Sequence, residues 1–174
     1  MRVLSTPRLH LRHFALEDAD FVLGLINEPA WIAGIRDAGV RTREAAQAWV
    51  QDRLITPYQT HGHGFWLVER RLDGEPLGMC GIFKRDSLPL PDLGYGFLTR
   101  HGGQGYAREA ARACLEYAPR QLGLRELLAI TSPSNHASNR LLQDLGFVAE
   151  HLQPHSPGNP DGPTQHWRWR AAAG

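Results

Sequence analysis

The chain has 174 residues and 19.5 kDa, with 42% hydrophobic and 21% charged residues, a balance that excludes wholesale disorder. At roughly 100–200 residues per domain, this length predicts one domain over residues 1–174 with a core of its own. Lys+Arg number 19 against 18 Asp+Glu, a formal net charge of +1, so charge makes no case for a nucleic-acid or membrane-surface partner.

Residues 8–12 alternate polar and apolar side chains, the pattern of a half-buried strand. Residues 16–27 repeat apolar side chains at helical spacing (Leu16, Ala19, Leu23, Ile26), with Glu17, Asp18 and Asp20 at the positive end of the helix dipole. Pro29 reads as the stop. A second helix is predicted over 42–55, with Thr42 as its N-cap and Pro57 following. Residues 65–70 and 77–84 read as strands joined by a hairpin turn at Leu72-Asp73-Gly74-Glu75, because Asp-Gly accepts the positive φ that such turns need. Residues 92–98 form a further strand. Residues 106–122 read as a helix stopped by Gly123, with Pro119 kinking or shortening its last turn. A strand over 126–130, a helix over 135–145 and strands over 147–150 and 166–170 complete the chain. The order β-α-α-β-β-β-α-β-α-β-β predicts a mixed sheet covered by helices, an α/β or α+β architecture. Residues 151–164, rich in Pro, Gly and His, read as a plain loop or a lid over a pocket.

Cys80 and Cys114 are too few for a disulfide scaffold and form no Cys-x-x-Cys pair; reduced thiols in a cytoplasmic protein are expected. The N-terminus has no apolar signal core, and no stretch approaches the ~18 apolar residues of a membrane span. His61 and His63 have no third ligand nearby in sequence, so no metal is expected.

The most informative segment is Leu98-Thr99-Arg100-His101-Gly102-Gly103-Gln104-Gly105-Tyr106-Ala107. Here a strand runs through a glycine-rich turn into a helix. Unpaired backbone N–H groups then converge at the positive end of a helix dipole, and the glycines let an anion approach. Arg100 adds a cation. The group such a cradle suits is a phosphate or diphosphate. A mononucleotide P-loop is excluded by the missing Lys, and a dinucleotide fingerprint by its spacing. Arg100-x-x-Gly103-x-Gly105 remains, with a ligand-free glycine turn as the bland alternative.

A second segment runs from Ile130 through Asn135-His136-Ala137-Ser138 to Leu145-Gly146-Phe147. The two segments together resemble the Gcn5-related N-acetyltransferase (GNAT) superfamily, the first its coenzyme A diphosphate motif and the second its following motif. The start, Ser5-Thr6-Pro7-Arg8-Leu9-x-Leu11-Arg12, is similar to the RimJ/RimL branch, and the resemblance covers residues 4–170. It implies a mixed sheet splayed between the 92–98 and 126–130 strands, with acetyl-CoA in the split. It further implies that the pantetheine arm pairs with backbone groups of Phe97, Leu98 and Thr99, a ligand form of β-augmentation. Gly94 and Gly96 fit a bulge or a close backbone approach there. Because some RimJ/RimL-like relatives are dimers, the resemblance leaves a homodimer open for this chain.

Acetyl transfer to an amine needs a neutral amine, a stabilised oxyanion and a proton for the leaving thiolate. Side-chain amines have pKa about 10 and α-amino groups about 8, so a base must act. Asp92 stands where the resemblance places an acid beside the cleft, and its short side chain calls for a bridging water. Glu28 and His101 are the alternatives. A backbone N–H on a bulge at Phe97 and Leu98 would meet the oxyanion. The tyrosine that many superfamily members carry seven residues after the motif asparagine is replaced by Leu142, so Ser138 is the hydroxyl to hand. Residues 135 and 138 share one helix face, so both can look into the cleft, and the resemblance to the RimJ/RimL pattern implies cofactor contacts for Asn135 and Ser138 and an acid role for Ser138. Trp31, Arg36 and Asp37 fall where the family builds acceptor specificity, and Tyr95 is taken with them as an acceptor contact. The predicted function is direct acetyl transfer to an amine, with a catalytically idle CoA-binding module as the rival.

Overall fold

The computed structural model describes residues 1–154 and 162–173. Its centre is one eight-stranded sheet in the order β1-β2-β3-β4-β5-β6-β8-β7. The strands are β1 (Arg2–Ser5), β2 (Leu9–Arg12), β3 (Phe65–Arg70), β4 (Pro76–Phe83), β5 (Asp92–Phe97), β6 (Glu126–Thr131), β7 (Val148–Gln153) and β8 (Thr164–Arg170). Among the described residues six α-helices accompany it: α1 (Ala19–Ile26), α2 (Pro29–Gly34), α3 (Arg43–Val50), α4 (Thr56–His61), α5 (Tyr106–Tyr117) and α6 (His136–Asp144). The 151–164 segment, predicted as loop or lid, begins and ends in β7 and β8, and the part between 155 and 161 lies outside the described residues.

The two prolines differ. The helix predicted over 16–27 ends before Pro29, which opens α2 after the extended Glu28; a proline costs little there, because first-turn N–H groups have no intrahelical acceptor. Pro57 does not stop the second helix: α3 runs through a π-helical turn, Gln51–Ile55, directly into α4. Thr42 caps α3 as predicted, its hydroxyl accepting the Ala45 N–H at 3.1 Å. Pro119 shortens α5: the regular helix ends at Tyr117 and the chain continues as a π-turn, Ala118–Leu122, into Gly123 at φ +69°.

The sheet separates two hydrophobic layers. On one face Trp66, Val68, Cys80 and Ile82 pack under Ala110, Ala111 and Cys114 of α5, with Leu142 of α6. On the other, Leu67 and Met79 pack under Val22, Leu25 and Ile26 of α1 and Ala46 and Val50 of α3. Strand alternation assigns the layers.

Strand β4 is pinned tightly between its neighbours. A Cβ on Gly81 would lie 2.2 Å from the Gly64 carbonyl oxygen, and one on Gly78 would lie 2.4 Å from that of Gly96. Backbone cannot retreat as a side-chain tip can. Gly81→Ala is therefore expected to destabilise by about 3 kcal/mol, the upper part of the overpacking range. Gly24 in α1 has nothing within 4 Å of its Cβ position, so Gly24→Ala is expected to stabilise by about 1 kcal/mol. Denaturant midpoints check both, and equal signs would contradict this packing.

The sheet opens between β5 and β6. These strands run parallel and pair only at Asp92 and Leu128, where the Leu128 N–H donates to the Pro91 carbonyl at 3.0 Å. Beyond that point they splay, as the resemblance implied. Elsewhere the ladders are long: β4 and β5 pair without a register shift from Phe83–Asp92 to Gly78–Phe97.

Candidate active site

The glycine turn leaves the end of β5 and enters α5. A 3₁₀ turn, Thr99–His101, comes first, with the His101 N–H donating to Leu98 and the Gly102 N–H to Thr99. Gly103 at φ +74° and Gly105 at φ +80° then bend the chain through the left-handed region, which only glycine enters cheaply. The first helical bond runs from the Glu109 N–H to the Gly105 carbonyl at 3.0 Å. The amides of Tyr106, Ala107 and Arg108 thus lack an intrahelical acceptor. Among the described residues, those of Gly103, Gln104 and Gly105 also take no protein acceptor. The nest is therefore set at 103–108. His101 and Gly102, expected to contribute, spend their amides on the turn.

Polar contacts that the sequence reading missed hold this turn in place. Arg8 donates to the Gln104 carbonyl at 2.9 Å, pairs with Glu109 at 2.7 Å and lies 4.6 Å over the Tyr106 ring. The Thr6 hydroxyl reaches the same Glu109 carboxylate at 2.5 Å. Together these bonds hold the Glu109 carboxyl below the usual carboxylate range, outweighing the burial that pushes it up. Arg100 and His101 turn to Glu75 on the neighbouring hairpin, at 3.1 and 3.2 Å on one oxygen, and Arg70 joins at 2.9 Å. The Arg100 bond leads in holding the Glu75 carboxyl below its ordinary value. The side chain of His101 is buried against that hairpin.

The edge of β5 corrects the expected pantetheine triad. The Leu98 N–H donates to the Leu77 carbonyl at 2.9 Å and the Leu98 carbonyl accepts from His101. The Thr99 N–H goes to Glu28 Oε1 at 2.9 Å, and the Thr99 carbonyl accepts from Gly102. Both residues have spent both backbone groups, and the bulge expected at Phe97 and Leu98 is absent from the unbroken β4–β5 register. In an antiparallel ladder bonded at Leu98, alternate residues Phe97 and Tyr95 turn their N–H and carbonyl away from β4. Those groups face the split.

The opposite face of β5 carries Asp92, Gly94 and Gly96. The glycines admit rings: a Cβ on Gly96 would lie 2.2 Å from the Trp31 ring, and one on Gly94 would lie 2.8 Å from the Phe65 ring. Close approach is therefore their reason, by a ring from helix α2 at Gly96 and a ring from strand β3 at Gly94. Phe65 in turn stacks on Phe83 at 5.3 Å. Asp92 is buried beside Phe83, and Arg85 clamps its carboxylate through Nε at 3.0 Å and Nη2 at 3.0 Å. Burial pushes the Asp92 carboxyl above the usual range, and the Arg85 charge offsets only part of that. Glu28, the alternative base, is taken by the Thr99 N–H and hydroxyl. Asp37 pairs with Arg41 at 2.8 Å and accepts the Gly39 N–H, while Arg36, exposed, continues from Trp31 at the end of α2.

Across the split, Asn135 caps α6, its Oδ1 accepting the Ser138 N–H at 3.2 Å. A Cβ on Gly34 would lie 3.8 Å from Asn135 Nδ2, so the end of α2 comes close to the start of α6. Thr131 fixes α6 to β6, donating to Asn139 at 2.5 Å while accepting the Trp167 indole N–H at 2.9 Å. Tyr95 reaches from β5 to α6, its phenol oxygen 2.6 Å from Ser138 Oγ.

A glycine nest at a helix start, a strand edge turned to an open split and a capped helix opposite invite comparison with known proteins. A family model described as an acetyltransferase (GNAT) domain matches residues 8–148. The chain belongs to the GNAT acetyltransferase family. It is 34% identical over 150 residues to YkkB of Bacillus subtilis (strain 168), covering 83% of this chain and 84% of that one. It is similar to the crystal structure of an acetyltransferase from Agrobacterium tumefaciens str. C58, with TM-score 0.79, 27% identity and coverage of 96% and 93%. RimL, a ribosomal alpha-N-protein acetyltransferase solved with coenzyme A, shares the fold at TM-score 0.84, 16% identity and 98% coverage of each chain.

This acetyltransferase, an acyltransferase by family, joins residues that sequence spacing leaves apart. Tyr95 and Ser138 meet although 43 positions separate them, and Thr6 and Arg8 brace the nest from about 100 positions away. The signal for Arg8 lay only in the Thr-Pro-Arg start. Cys80 and Cys114 lie 3.6 Å apart as buried free thiols. Among the described residues, no group of three His, Cys, Asp or Glu gathers to hold a metal, and no helix is long and apolar enough to cross a membrane.

Proposed function

We propose that this chain is an acetyl-CoA-dependent N-acetyltransferase of the RimJ/RimL-like branch, acting on a primary amine by direct transfer in a ternary complex. The amine is a protein N-terminus or a small molecule, and the compartment is the cytoplasm. One observation carries the reading: the nest at 103–108 stands directly beyond a strand edge whose spare backbone groups line an open split. Space supports the fit, since a Cβ on Gly103 would meet nothing within 4 Å.

Acetyl-CoA supplies an activated acyl thioester. Gly103, Gln104, Gly105, Tyr106 and Ala107 hold its diphosphate through backbone amides and the α5 dipole. Arg100 adds positive charge at the rim, although Glu75 shares it. Phe97 and Tyr95 offer backbone groups to the pantetheine amides, and Asn135 and Ser138 face them from α6. The Phe97 N–H, held rigid by the β4 ladder, serves as the oxyanion donor.

Asp92 takes the amine's proton, through a water because its carboxylate is short and clamped. Burial raises its pKa and makes it a better base than an ordinary aspartate, and the Arg85 guanidinium favours its ionised form. Trp31, lying on Gly96, forms the wall of the acceptor side, with Arg36 at its mouth.

The direct test is thiol release from acetyl-CoA with a panel of polyamines, aminoglycosides and peptides with free N-termini. At least one amine is expected to release thiol and gain 42 Da per transfer, roughly the mass of an acetyl group replacing hydrogen. Binding of acetyl-CoA with no thiol from any amine would overturn the reading.

A further inference from the structure

The family resemblance implies an acid role for Ser138 because Leu142 stands where many members carry a tyrosine, yet a tyrosine reaches Ser138 from another element. Tyr95 spans the split from β5, its phenol oxygen 2.6 Å from Ser138 Oγ, well inside the range of a strong O–H···O bond. Its separation from the Ser138 carbonyl, 3.5 Å, lies outside that range. Polar groups of the start of α6 and of β6 are committed elsewhere. The Ser138 N–H donates to Asn135, the Thr131 hydroxyl is held between Asn139 and Trp167, and Leu142 is buried and carries no hydroxyl.

We propose that Tyr95 is a positioning residue that donates its phenol proton to Ser138 Oγ. The Ser138 proton is thereby left to point at the departing sulfur as a hydrogen bond. This rests on the acetyl-transfer reading above and deepens it.

The direction of donation follows from relative acidity: of the two hydroxyls the phenol is the stronger proton donor and the serine oxygen the better acceptor. Burial pushes the Tyr95 phenol up to about 12, so it keeps its proton at every physiological pH. A hydroxyl accepting that proton has one of its own left to give. The same magnitude decides what the pair does with it. A thiol titrates near 8.5, so passing a proton from this phenol through Ser138 to a thiolate would be uphill by roughly a thousandfold. Serine and tyrosine therefore stabilise the thiolate without protonating it. In balanced form, the amine's proton passes through water to Asp92 and the C–N bond forms. The C–S bond then breaks with its electron pair on sulfur, and solvent later supplies the thiol proton. The acid role first expected for Ser138 becomes hydrogen-bond donation.

The test titrates the thiol of bound coenzyme A by its ultraviolet thiolate absorbance, which needs no acceptor. The thiol is expected to titrate about one pH unit lower in the wild type than in Tyr95→Phe or Ser138→Ala, a tenfold difference in thiolate. The double variant should match Ser138→Ala, because the two groups act as one. With a working acceptor, Tyr95→Phe should lower kcat about tenfold and leave KM for acetyl-CoA within about twofold. Calorimetric titration with coenzyme A confirms that each variant still folds and binds, and Ser138→Thr, which keeps a hydroxyl, should restore part of the shift. A Tyr95→Phe thiol that titrates like the wild type would overturn the proposal, as would additive losses in the double variant. The two readings fail separately. A normal thiol shift with no transfer to any amine removes acetyl transfer and keeps the pair, whereas transfer without the shift removes the pair alone.

Discussion

Gly103→Glu is expected to weaken acetyl-CoA binding at least about 100-fold, equivalent to roughly 2.7 kcal/mol, with only a small loss of thermal stability. Strain and charge both act here. Gly103 sits at φ +74°, where a side chain costs roughly 1–2 kcal/mol in backbone strain. Electrostatic repulsion matters more: the new carboxylate stands among the very amides that would hold a diphosphate, and it repels that anion. Because open space surrounds the Cβ position, the fold has no reason to collapse. Gly103→Ala separates strain from charge, since it brings only the strain and should weaken binding by less than about tenfold. Calorimetric titration reads both. Equal affinities for the wild type and the glutamate variant would place the diphosphate elsewhere.

Asp92→Asn should lower kcat about 100-fold or more, within the usual range for a lost general base. The pH dependence carries the diagnosis. Ionised Asp92 is the active form, so the wild-type rate falls as pH drops through a pKa held above the ordinary aspartate range by burial. The asparagine variant lacks that limb. Its residual rate climbs with pH as the acceptor amine deprotonates unaided, toward about 8 for an α-amino group and about 10 for a lysine-type amine.

Stability at Asp92 follows a different sign. A carboxyl whose folded pKa is raised contributes most below its unfolded value, and that contribution is lost as pH rises through the folded pKa. Above that folded pKa the ionised group therefore adds little. Arg85, 43% exposed, can turn to water when its partner is removed, so the variant should lie within about 1 kcal/mol of the wild type. A loss of several kcal/mol would instead mark Asp92 as a purely structural partner of Arg85.

Much of the fold is written in local pattern. Alternation gives β2, helical spacing gives α1, the Thr42 cap gives the start of α3, and the glycine turn places the nest at the start of α5. The α2 and α4 helices are harder to see, because a proline reads as a stop, whereas Pro29 opens α2 and the helical run passes through Gln51–Ile55 into α4 past Pro57. β1 is four residues at the edge of the sheet, recognisable only by its pairing with β2. At the site, the glycine spacing marks where a diphosphate would sit but not which amides are available. That depends on Leu77 and Glu28, whose contacts with Leu98 and Thr99 no spacing rule encodes. The Tyr95–Ser138 contact is of the same kind. A strand residue and a helix residue meet only because the sheet splays between them.

The most direct test of the whole account is a crystal structure with coenzyme A bound. The diphosphate is expected within hydrogen-bond distance of the Gly103, Gly105, Tyr106 and Ala107 amides, with the pantetheine amides paired to Tyr95 and Phe97. A diphosphate bound away from that turn, or a pantetheine arm running outside the β5–β6 split, would contradict it.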